Sequence, residues 1–305
     1  MTASNELVRP AQFDLREHLA ALRPEPRFNH AEAIAKNPLA YTGLNLAPRR
    51  FGAFDTALRL GDYIDAAAAT VQVPVALAPQ PLPDGFAWGM LGNNRLGDCV
   101  PVEVLHSIET FHIAAGTPPP PFADADAIAL YGAVGGYNPS DPSTDQGTDP
   151  GTAWDYWQAT GVTCAADSSL HKIAGLIGID STNAVERHLG IYEFDAIQYA
   201  ISLPLSWQGA SEWTGVPSAD PNSQPGSWGG HGVMSRSWDA SGNESIVTWG
   251  TDLLAASNSL GAYLQEAAIV VSEEMLSLTG VSRCGIHWSD LVSDLKKLAN
   301  QKPIS

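Results

Sequence analysis

The chain has 305 residues, 44% of them hydrophobic and 16% charged, a globular composition rather than that of a disordered chain. No stretch approaches the roughly 20 apolar residues a membrane helix needs, and Met1 to Arg9 lacks the basic start and apolar run of a secretory signal. The net charge of −17 and a pI near 4.6 exclude nucleic acid as an expected partner, since phosphate binding needs clustered Lys and Arg.

That charge is unevenly placed. Through Pro79 eight basic residues balance eight acidic ones, whereas from Gln80 onward eight basic residues face twenty-five acidic ones. Such asymmetry points to two units, an N-terminal arm over 1–79 and an acidic body over 80–305. In the arm, spacing predicts short helices over Asp14 to Leu22, Asn29 to Lys36 and Leu58 to Ala69. Val71 to Pro83 carries prolines at 74, 79, 81 and 83 and reads as a strand edge or linker.

In the body, Asn94 to Gly97 reads as a turn. Val100 to His112 reads as a helix, with Val100, Val104, Ile108 and Phe111 on one stripe and Pro101 tolerated in the first turn. Helices are predicted over Asp124 to Val134, Thr152 to Thr160 and Phe194 to Ile201. Leu203 to Gln208, Gly232 to Trp238 and Glu244 to Trp249 read as strands, the last two joined by a turn at Asp239 to Asn243. Tyr263 to Met275 fits a strand or a helix. Helices first and an antiparallel sheet later is the α+β pattern.

The cysteines are Cys99, Cys164 and Cys284. Without CxxC spacing they support neither a disulfide framework nor a zinc site, and a reducing compartment is expected. Cys99 follows the turn Gly92-Asn93-Asn94-Arg95-Leu96-Gly97-Asp98 and precedes a helix, where backbone N–H groups and the helix dipole favour a thiolate. Asp98 works against this, because a neighbouring negative charge raises a thiol's pKa. A lone buried Cys is otherwise an ordinary core residue. His231 lies between glycines in Trp228-Gly229-Gly230-His231-Gly232, with room for another side chain to approach. Asp141, Asp145 and Asp149 form an acidic loop that departs from the EF-hand order. No metal or cofactor is expected, and His106 and His112 read as packing or surface residues.

Taken in order, these segments resemble the papain-like cysteine peptidases. The resemblance spans roughly Pro83 to Tyr263 and implies a two-lobed fold, with a helical lobe and an antiparallel β-sheet lobe. It implies that Cys99 is the nucleophile and His231 its proton shuttle. It places Asn93, six positions before Cys99, where the family has its oxyanion-hole Gln. Trp249 in Ile246-Val247-Thr248-Trp249-Gly250 matches the Trp that shields the pair. Val247 stands where the family has the Asn that orients the imidazole, which leaves Asp239 or Asn243 to take that role.

Two functions follow as expectations. One is a thiol hydrolase acting on peptide or isopeptide bonds in a protein substrate. The other is a binding or structural protein that keeps the scaffold without efficient catalysis, its arm anchoring it to a larger assembly such as a phage particle. A cytoplasmic or particle-associated location is expected, with no membrane or nucleic-acid partner.

Overall fold

The computed structural model describes Leu58–Arg59, residues 73–273 and residues 289–293. The helices predicted over Asp14 to Leu22 and Asn29 to Lys36 lie outside these residues, as does Cys284. Leu58–Arg59 forms a short strand, β1, where the start of a helix was predicted. No helix among the described residues is long and apolar enough to cross a membrane.

The first long helix among the described residues, α1 (Cys99–Ala114), is buried at every position except His112 and Ala114. A helix buried all round must be enclosed by other elements. Two more helices, α2 (Asp124–Gly135) and α3 (Pro150–Ala159), pack against it. Local chemistry sets their ends. The Asp126 carboxylate accepts the Ala123 N–H at 2.8 Å, Gly136 stops α2 with φ +69°, and Asp149 caps α3 by accepting from the Thr152 N–H at 3.2 Å.

Beyond α3 come the small ribbon β2 (Val162–Thr163) and β3 (Leu170–His171), then β4 (Ile173–Gly178), α4 (Ala184–Phe194), β5 (Ile197–Leu203) and β6 (Glu212–Trp213). The chain continues through β7 (Gly229–Trp238), β8 (Glu244–Thr248), β9 (Thr251–Ala255), α5 (Ser257–Tyr263) and β10 (Leu264–Ser272). The strands other than β2 and β3 form one sheet in the order β1-β4-β10-β5-β7-β8-β9-β6. Pairing is antiparallel except for the two edge pairs, β1 with β4 and β6 with β9. The α+β expectation holds.

Helix α1 covers one sheet face and α4 the other. Gln198 of β5 donates to Ser107 Oγ of α1 at 2.9 Å, and its carbonyl accepts from Trp154 Nε1 of α3. Met234 of β7, its cross-strand partner, meets the Ser107 and Thr110 hydroxyls. On the opposite face a Cβ on Gly190 of α4 would lie about 3 Å from the Ile197 and Ile269 side chains.

This two-sided cover corrects the predicted helix over Phe194 to Ile201. Asp195 takes a left-handed conformation, φ +63°, and ends α4. The chain then enters β5, buried at all seven positions. A strand buried on both faces has no alternation to distinguish it from a helix. The strand predicted over Leu203 to Gln208 is likewise corrected. After Leu203 the chain leaves the sheet at Pro204 and makes a 3-10 turn over Leu205–Trp207. Tyr263 to Met275, open between helix and strand, enters β10 at Leu264.

The proline-rich run is bound to the body on both sides of position 79. Leu77 exchanges backbone bonds with Trp238 at 2.9 and 3.2 Å, Trp238 Nε1 donates to the Val75 carbonyl, and Arg236 donates to the Gln80 carbonyl.

Candidate active site

The turn ahead of α1 is held by buried polar bonds. The Asn93 N–H reaches the Met90 carbonyl at 3.0 Å, and Asn93 Nδ2 donates to Asp98 Oδ1 at 3.0 Å. The Gly97 N–H donates to Asp145 Oδ1 at 2.9 Å, which also accepts from Tyr131 at 2.7 Å. Cys99 then opens α1, 1% exposed. Asp98 is the N-cap residue, yet its carboxyl makes no capping bond to the helix. It is fully buried, and burial pushes its pKa up to about 8 against the opposing effect of the Asn93 bond.

Upstream, residues 88–90 are fixed from two directions. His106 of α1 bonds the Gly89 carbonyl at 2.9 Å. Burial lowers the His106 pKa to about 4, so at neutral pH the ring is uncharged and donates that bond through Nε2. Trp88 Nε1 donates to Asp252 Oδ2 at 3.0 Å, and Arg236 grips the same carboxylate at 2.9 and 3.0 Å while lying over the Trp88 ring. Burial disfavours the charged Asp252, but the Arg236 fork outweighs it and holds the carboxyl below its ordinary range.

His231 is the third residue of β7 and is 1% exposed. Its Nε2 lies 2.8 Å from Thr248 Oγ1, the last residue of β8. The Trp249 ring stacks on the imidazole, centroids 4.5 Å apart and planes 18° apart. Trp228 lies against Trp249 at 5.3 Å, with Trp213 edge-on at 6.2 Å, so the histidine is backed by an aromatic slab.

Trp249 is aimed by a two-residue hairpin turn. Thr248 pairs with Thr251, and both Trp249 (φ +46°) and Gly250 (φ +71°) are left-handed, as a type I′ turn requires. Gly250 is also demanded by space, since a Cβ there would sit 3.2 Å from the Trp88 carbonyl oxygen and 3.3 Å from the Met90 nitrogen. The turn is therefore pressed against the segment that leads to Cys99.

A second contact joins the two halves of the site. A Cβ on Gly232 would lie 2.5 Å from Glu103 Oε2 and 3.2 Å from the Val100 backbone. The residue after His231 thus abuts the residue after Cys99. Glu103 is the buried carboxylate in this seam, and its Oε1 accepts the Tyr199 N–H of β5 at 3.0 Å.

Asn93 stands in the turn before Cys99, and Trp249 lies on His231. Asp239 and Asn243 do not join them. They bond each other in the β7–β8 turn, at 3.0 Å through the Asn243 amide and 2.9 Å through its backbone. That turn follows the far end of β7, eight residues from His231, or roughly 26 Å at an extended rise. The side chain that lies within hydrogen-bonding distance of the His231 ring is that of Thr248. Val247 turns the other way, paired with Met234. The β7–β8 register, with Val247 opposite Met234, puts Thr248 rather than Val247 on the His231 side, and the sequence does not display that register.

The acidic loop is also used internally. Asp141 accepts from Ser143 at 2.6 Å, Asp145 holds the turn before Cys99, and Asp149 caps α3.

No protein-family model matches the sequence, and no curated protein matches it. Solved structures do match in shape. Xylellain, a cysteine protease from Xylella fastidiosa, superposes with a TM-score of 0.56 at 12% identity, covering 75% of this chain and 96% of that one. The cysteine protease and lectin-like domains of Cwp84, a surface layer associated protein of Clostridium difficile, give 0.54 at 10% identity, covering 81% of this chain and 60% of that one. At these identities the likeness concerns the fold. The chain has the papain-like α+β fold, with Cys99 opening the buried helix and His231 near the start of a strand packed on that helix.

Proposed function

We propose that the protein is a papain-like thiol hydrolase that cleaves peptide or isopeptide bonds in a protein substrate. The Cys99 thiolate attacks the carbonyl carbon and forms a tetrahedral oxyanion. His231, as imidazolium, protonates the departing amine, and water then hydrolyses the thioester with the imidazole as base. The Cys99 N–H and the Asn93 amide hold the oxyanion. Trp249 covers the imidazole and keeps water from it.

One observation carries this reading. His231 is oriented by Thr248, covered by Trp249, and set on a strand whose next residue touches the first turn of the Cys99 helix. That xylellain and Cwp84 bear cysteine protease names supports the same reading.

A second reading keeps the scaffold without turnover and uses the N-terminal arm to anchor it to a larger assembly. Asp98 favours it, since a carboxyl beside the thiol opposes thiolate formation once it is charged, above about pH 8.

Incubation with unfolded proteins and with a ubiquitin-type isopeptide conjugate, followed by mass spectrometry of new termini, separates the two. The hydrolase yields products that disappear in Cys99→Ser and His231→Ala. Unchanged substrates with the wild-type protein would leave the anchoring role.

A further inference from the structure

Asp is a favoured N-cap residue because its carboxylate normally accepts the N–H groups of the helix's first turn. Asp98 occupies that position before α1 and does otherwise. Its side chain makes no capping bond. It turns back into the protein, fully buried, and accepts Asn93 Nδ2 at 3.0 Å. Its second oxygen has no hydrogen-bond partner among the described residues and lies 3.0 Å from where a Cβ on Gly92 would stand. Gly92, with φ +91°, leaves the carboxyl its space.

Two consequences follow. One N–H of the Asn93 amide is committed to Asp98, which fixes the plane of the amide and hence the direction of its other N–H. The start of α1, meanwhile, is not closed by the side chain best placed to close it. Resting on the hydrolase reading above, we propose that Asp98 is a positioning residue that aims Asn93 at the carbonyl oxygen of the bound substrate and keeps a carboxyl off the helix N-terminus.

The charged and titratable groups near Asp98 are Cys99 on its own helix and Asp145 from the loop over Gly97, itself bonded to Tyr131. Burial among them favours the neutral acid. A neutral Asp98 is matched closely by Asn, whose carbonyl can accept the same bond.

The test uses the full chain and two probes read at Cys99 by mass spectrometry. Iodoacetamide reports the thiolate alone, because its SN2 reaction builds no oxyanion. With p-nitrophenyl acetate the sulfur attacks the acetyl carbon, p-nitrophenolate leaves and a thioester remains, so the oxyanion must be held. Asn93→Ala and Asp98→Ala are expected to slow acylation about tenfold or more with alkylation changed less than about threefold. Asp98→Asn is expected to recover most of the acylation rate.

Urea midpoints confirm that each variant is folded, and Asp98→Asn keeps the test informative if Asp98→Ala is not. Equal acylation in Asp98→Ala and wild type would overturn the proposal. So would failure of a folded Asp98→Asn to recover it, or parallel loss of alkylation. A wild-type Cys99 that takes iodoacetamide no faster than Cys164 would overturn the hydrolase reading first, and the positioning role with it.

Discussion

The imidazole of His231 is held by a hydroxyl. A Thr oxygen at 2.8 Å fixes the ring but, unlike a carboxylate, adds no charge to stabilise the imidazolium. The bond is of the neutral kind, contributing about 1 kcal/mol net. Replacing Thr248 by Val, which keeps the shape, should therefore lower kcat/KM by roughly fivefold, far less than the loss of a triad carboxylate. An undiminished rate in Thr248→Val would show that the hydroxyl does not orient the ring. The converse substitution is equally informative. Val247→Asn puts an amide at the position that resembles the family's orienting residue, but that side chain lies across from Met234 and is buried. It should lower stability by about 1–3 kcal/mol and raise no activity. A more active Val247→Asn would mean that the residue at 247 can turn to the histidine.

At the scale of elements, the site depends on how closely β7 approaches α1. Gly232 permits that approach, with Glu103 filling the space a side chain would take. Gly232→Ala should push strand and helix apart, costing about 1–3 kcal/mol and slowing Cys99 alkylation together with the loss of stability. A midpoint unchanged from wild type would show that the seam can give. The same elements show what the sequence could reveal. Helix α1 was legible because Val100, Val104, Ile108 and Phe111 keep helical spacing on a chain with Pro101 in its first turn. Strands β7 and β8 were legible from their turn at Asp239 to Asn243. Strand β5 was not, since α1 and α4 cover both its faces and erase the alternation, and α4 itself ends at a left-handed Asp195 that no glycine announces. Cys99, His231 and Trp249 could be picked out by residue type and neighbours. Thr248 could not, because its place beside His231 comes from the register of β8 on β7.

At the scale of the whole molecule, Asp98 and Glu109 are, among the described residues, carboxyls buried in unfavourable surroundings. Burial lifts Asp98 from an ordinary 3.8 to about 8, and Glu109 from 4.5 to about 8. Between those values the folded chain holds protons that the unfolded chain has released. Stability from these groups is therefore fully present below about pH 4 and is lost as pH rises toward about 8. The urea midpoint should be higher at about pH 5 than at about pH 8.5, and Glu109→Gln should flatten that slope. Neutral, buried His106 acts the other way below about pH 6.5, so the decisive result is the variant: a slope that Glu109→Gln leaves unchanged would mean that this carboxyl is charged in the folded protein. The strap at 75–80, tied to β7 through Trp238 and Arg236, also belongs to this scale, since it joins residues far apart in the chain.

The central claim is that Cys99 and His231 act on one another, and the pH dependence of Cys99 alkylation by iodoacetamide tests it most directly. In the wild type, rapid labelling should persist well below the ordinary thiol pKa of about 8.5, and in His231→Ala it should fall back to the profile of an isolated thiol. Identical profiles in the two proteins would contradict the claim.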